Sequence, residues 1–78
     1  MEASSKMIIW HLLIMDVRTK KVEQSIIKKR YNLVQQIAET HCGKSLEWES
    51  TDNTTSASAN NKTYTITKLK LTINITNI

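Results

Sequence analysis

Glu39, His41 and Cys42 stand within four positions of one another, and His11 lies upstream as another side chain of ligating type. Imidazole and thiolate suit a zinc ion, and a Cys–His pair suits a nucleophile with its base. The spacing disfavours both. Neighbouring residues on a helix point about 100° apart, so His41 and Cys42 chelate one ion poorly. No third group is placed to orient the histidine, and Gly43, the single glycine, is too little for an oxyanion-hole loop. Glu47 and Glu49 share one face of an alternating stretch, an arrangement that normally stays solvated. Phosphate-binding loops, dinucleotide turns and HExxH helices are absent from the sequence. The residues therefore point to a non-enzyme, with no catalytic site, no metal and no cofactor.

Lysine and arginine are the other chemistry-bearing residues. The net charge is +4, and it is concentrated. Residues 18–44 carry Arg18, Lys20, Lys21, Lys28, Lys29, Arg30 and Lys44 against Glu23 and Glu39, whereas the flanking segments nearly balance. A one-sided basic element is the footprint expected for RNA or DNA. On that reading Arg18, Lys20, Lys21, Lys28, Lys29 and Arg30 neutralise phosphates, and Tyr31, Trp48 or Tyr64 offers a stacking surface. Against it, Lys28 and Lys29 stand among Gln and Asn, and Tyr31 and Trp48 occupy expected core positions. A solvated helix face is the simpler account.

The elements that must position these side chains follow from periodicity. Met7 to Met15 is apolar at nearly every position. Ile8, Trp10, Leu12 and Ile14 have one parity, and Ile9, His11, Leu13 and Met15 the other. Length and β-branching favour a central strand covered on both sides. Residues 20–42 have helical spacing. Val22, Ile26, Leu33 and Ile37 form one stripe, Ile27, Tyr31, Val34, Ala38 and Cys42 a second, and Arg30 runs its stem between them. Asp16 or Thr19 caps the start of this helix and Gly43 its end.

Leu46 to Ser50 alternates as a half-buried strand, with Leu46 and Trp48 inward. Thr51 to Lys62 is polar and of low complexity, and reads as a mobile hairpin tip. In the last segment Tyr64 and Ile66 have one parity and Leu69, Leu71, Ile73 and Ile75 the other. A β-bulge near Thr67 and Lys68 is expected there, since without one half of the strand turns its apolar set to solvent.

Together these predict an α+β fold: a small β-α-β-β domain, one long helix packed on a mainly antiparallel three-stranded sheet. It is a single domain over residues 1–78, disordered or mobile at 1–5 and 51–62. The 78 residues support only a small core. The lone Cys42 excludes a disulfide scaffold. The apolar run 7–15 is far shorter than the roughly 20 residues that span a bilayer. It is followed by Asp16 to Lys21 rather than by a small-residue cleavage site, so no membrane partner and a cytoplasmic location are expected. The sequons at Asn53, Asn61 and Asn74 would matter only in a secreted chain.

One helix covers one face of a small sheet, yet the first strand is apolar on both. Each large side chain kept from water contributes roughly 1.5–3 kcal/mol, and an uncovered set makes an interface patch. The leading expectation is a non-catalytic interaction module. It homodimerises or docks to a partner protein through an apolar sheet face or edge strand carrying Ile9, Leu13, Met15, Leu69, Leu71 and Ile73.

Overall fold

The computed structural model describes the backbone of residues 2–76 and the side chains of residues 6–72. The chain runs β1 (Glu2–Asp16), β2 (Val22–Lys28), α1 (Tyr31–Cys42), β3 (Glu49–Thr51), β4 (Thr54–Ala59) and β5 (Lys62–Thr76). The strands form one five-stranded antiparallel sheet in the order β2-β1-β5-β4-β3. The α+β class holds, but a three-stranded sheet with a long helix does not.

Two segments account for the correction. Val22–Lys28 is a strand, so the helix begins only at Tyr31. Its N-cap is Arg30 in extended conformation, without a side-chain cap, instead of Asp16 or Thr19. Asp16 instead closes the β1–β2 turn, where its Oδ1 accepts from the amides of Arg18 (2.8 Å) and Thr19 (3.0 Å). Gly43 ends the helix in the left-handed region (φ 84°), its amide donating to the Glu39 carbonyl. The segment expected as a loop, 51–62, holds β4, reached and left through two-residue turns. Asn60 and Asn61 both have positive φ, the geometry that joins right-twisted strands and that asparagine tolerates.

Directly opposed residues of an antiparallel pair share a face, so the register fixes the two sides of the sheet. Leu12 and Ile14 of β1 oppose Ile66 and Tyr64 of β5, and Tyr64 opposes Ala57 of β4. These five are buried with Val34 and Ala38 of α1 and with Leu46. Here is the core, between helix and sheet. Of the two expected stripes, the helical part of the second (Tyr31, Val34, Ala38, Cys42) packs throughout, while of the first Ile37 packs against the core and Leu33 is 40% exposed.

Leu46 and Trp48 turn inward as expected, though the chain around them is coil rather than strand. Glu39 holds it there: Oε2 accepts from the Leu46 amide (2.9 Å) and the Trp48 indole (3.4 Å).

Strands β1 and β5 outrun their neighbours. β2 pairs with β1 only between Trp10 and Met15, and β4 pairs with β5 only between Lys62 and Thr67. Beyond them, the pairs from Glu2↔Thr76 to Ile9↔Leu69 continue as a two-stranded ribbon. This arm gives the molecule its 52 Å long axis against 22 and 21 Å across. Among the described residues, core packing lies wholly in the body. Leu12→Ala or Ile66→Ala should therefore lower unfolding free energy by about 2–5 kcal/mol, read from the urea midpoint with an unchanged slope.

Candidate functional site

The β1–β5 ladder is continuous through Thr67 and Lys68, with no bulge there. The change of apolar parity in β5 is therefore a change of face. Tyr64 and Ile66 lie under the helix, whereas Leu69 and Leu71 stand on the opposite side, opposed by Ile9 and Met7. The chain does contain a bulge, but in β2. Ile14 pairs with Gln24 and Met15 with Val22, which leaves Glu23 as the extra residue.

The helix-free face reads, along β1, Met7, Ile9, His11, Leu13 and Met15. Leu71 and Leu69 oppose the first two, and Ile27, Ser25 and Val22 of β2 oppose the last three. Farther across, Thr63, Thr65 and Thr67 of β5 meet Ser58, Ser56 and Thr54 of β4. The result is an apolar stripe running from arm to body, flanked by a lattice of small hydroxyls. Val22 (55%), Ile27 (57%), Leu69 (38%) and Leu71 (43%) are exposed, and Ile9, Leu13 and Met15 are half-buried. Five residues expected from sequence as an interface, Ile9, Leu13, Met15, Leu69 and Leu71, thus share one surface. The sixth, Ile73, pairs with Ser5, and its side chain lies outside the described residues.

The basic residues do not form a helix face. Arg18, Lys20 and Lys21 lie in the β1–β2 turn, while Lys28, Lys29 and Arg30 lie at the far end of β2, roughly 20 Å away at 3.4 Å per residue. The helix itself carries Glu39 as its one Asp, Glu, Lys or Arg residue. Of the expected stacking residues, Tyr64 is buried and Trp48 is tied to Glu39. Sequence reasoning missed Lys68 and Lys70, because their bearing depends on a register that no periodicity reveals.

Polar groups also converge at the turn end of the body. Lys62 bonds to Asp16 (3.2 Å) and to the bulged Glu23, and Glu23 reaches His41 Nε2 (3.7 Å). His41 Nδ1 meets the Tyr64 hydroxyl at 2.9 Å. Asn60 donates to the carbonyl and sulfur of Cys42. The network joins β1, β2, α1 and β5, and it has the geometry of a clasp. His11 is remote from it, bonded to Ser25 on the helix-free face. Among the described residues no three His, Cys, Asp or Glu side chains converge to hold a metal. Backbone amides, Thr19 foremost, and then Lys62 hold the Asp16 carboxyl below its ordinary pKa, while Glu23 and Asp16 raise that of Lys62. Burial, with Cys42 adding to it, pushes the Tyr64 phenol up.

A depressed carboxyl stabilises the fold above its unfolded pKa and loses that contribution as pH falls through the folded value. The melting temperature should therefore drop on acidification below about pH 5, and Asp16→Asn should flatten that drop in thermal melts recorded across the range.

Among the described residues no helix is long and apolar enough to cross a membrane. Comparison with protein families, with curated proteins and with solved structures finds no match, so a functional reading has to come from these surfaces themselves.

Proposed function

We propose that this chain is a non-catalytic interaction module that pairs with a second copy of itself through the helix-free sheet face. The observation that carries the reading is the unbulged change of face at Leu69. In the arm, the described apolar pairs Met7↔Leu71 and Ile9↔Leu69 lie on the side where no helix packs. A two-stranded ribbon is at best marginally stable alone in water, and an apolar face turned outward adds to the cost.

The occupant is inferred from chemistry and size. Among the described residues of this face, His11 is the one titratable group on the apolar stripe, and Glu49 sits at the far edge on β3. A surface so nearly free of charge complements itself. The eight arm pairs and the body strands present roughly 600–700 Å² at ordinary strand spacing and rise. That approaches the roughly 800 Å² per partner of a standard interface. Two-fold stacking of sheet on sheet is the simplest closed solution. A cytoplasmic setting belongs to this reading and is supported by a single unpaired cysteine.

Light scattering during size-exclusion chromatography at micromolar concentration should give twice the 9.0 kDa chain mass. Leu69→Glu with Leu71→Glu should return it to a single chain with unchanged circular dichroism, because neither residue touches the core. A monomeric wild type, or a double variant that still dimerises, overturns the proposal.

A further inference from the structure

The other side of the arm has the opposite chemistry. Trp10 is opposed by Lys28 on β2 and Lys68 on β5, and the same face continues along the arm with Ile8↔Lys70 and Lys6↔Thr72. Lys29 and Arg30 follow directly at the β2–α1 junction. Six cations thus gather at the arm and its root. Among the described residues every ion pair involves Lys62 or His41, so none of the six is neutralised. Lys68 Nζ lies 5.7 Å from the centre of the Trp10 ring.

Aromatic surface lies amid these charges. Trp10 and Tyr31 meet edge to face, with centroids 5.1 Å apart, and both are half-buried. They wall a cavity of about 400 Å³ together with Lys68, Asn53 and Thr55, and Asp52 is its one carboxylate. A second cavity of about 380 Å³ follows along the arm between Lys6, Ile8 and Lys70. Lysines from both strands of the ribbon, Lys68 and Lys70 on β5 and Lys6 on β1, line this path, and an aromatic pair stands at its inner end.

We infer that this face binds single-stranded nucleic acid, with a base entering beside Trp10 and Tyr31 and the backbone running along Lys68, Lys70 and Lys6. Stacking on an aromatic face is tolerant of sequence, and a lysine track follows a phosphate backbone. A duplex keeps its bases stacked on one another and cannot fill the cavity. A membrane surface would use the charges but leave the aromatic pocket idle. The inference does not rest on self-association, since the basic and apolar faces are opposite sides of one ribbon.

The test uses a fluorescein-labelled oligo-dT single strand in a Trp48→Phe background, where Trp10 is the sole tryptophan. Binding should quench Trp10 fluorescence and weaken steeply between about 50 and 200 mM salt. Lys68→Glu with Lys70→Glu should lower the affinity at least tenfold. Lys20→Glu with Lys21→Glu, an equal charge change in the distant turn, should alter it less than twofold. Circular dichroism establishes that each variant is folded. Equal losses from both pairs, binding without Trp10 quenching, or equal affinity for polyglutamate or phosphatidylserine vesicles would each overturn the inference.

Discussion

The pleat of a β-strand allows no compromise: successive side chains go to opposite faces, and only an extra residue can reset them. β5 obeys this without a break. Tyr64 and Ile66 lie under the helix while β4 flanks the strand, and Leu69 and Leu71 lie on the other side once β4 has ended. Everything distinctive about the molecule follows from that alternation. The body is a sheet with one helix on it, and the arm is a ribbon whose greasy side points away from that helix. A bulge at Lys68 would have turned the arm's apolar set toward the helix side, where the lysines now stand. Instead the bulge falls in β2, where it frees Glu23 to reach Lys62 and His41.

How much of this was legible in the sequence depends on how many partners a signal needs. The strand Met7–Met15, the glycine stop at Gly43 and the inward turn of Leu46 and Trp48 need only local chemistry, and they could be read directly. β2 could not. Val22 and Ile26 fit one helical stripe and Ile27 the other by coincidence of spacing, and the extra residue Glu23 breaks the alternation that would have revealed a strand. Its burial is as weak as its signal, since Ile26 alone is not exposed. β4 is hidden for another reason. Thr54–Ala59 has only Ala57 buried, so it lacks the apolar alternation that announces a strand and is held by ladder bonds and its two turns. The parity change in β5 was visible, but its meaning was not: a strand that switches faces and a strand that bulges have the same sequence pattern.

Position in the sheet also divides the candidate residues. Arg30 reads in sequence as a cation embedded between two apolar stripes. In the fold it is the extended residue before the helix, beside Lys28 and Lys29 and close to the root of the arm. His41 and Cys42 have the residue types of a nucleophile pair, which their spacing in the sequence already disfavours. In the fold they bond to Tyr64 and Asn60, tying the helix end to the sheet and to the β4–β5 turn. Arg30 changes its place because a helix expected to start near residue 20 starts at Tyr31, whereas His41 and Cys42 take their partners from β5 and from the turn before it.

The two faces of the arm bear on each other through charge. A chain of net charge +4 resists self-association if its cations meet. Here Lys6, Lys68 and Lys70 stand on the side away from the apolar stripe, so stacking two stripes sets the lysines of each copy outward. Separated by two sheet layers, about 10 Å apart face to face, they lie beyond the roughly 8 Å over which physiological salt leaves charges unscreened. The repulsion between copies is then small against the apolar area removed from water. In such a pair each copy keeps its Trp10 and Tyr31 pocket open at the outer surface, and the covered stripe holds the ribbon straight beneath its lysines. Self-association would therefore stiffen the basic track rather than consume it.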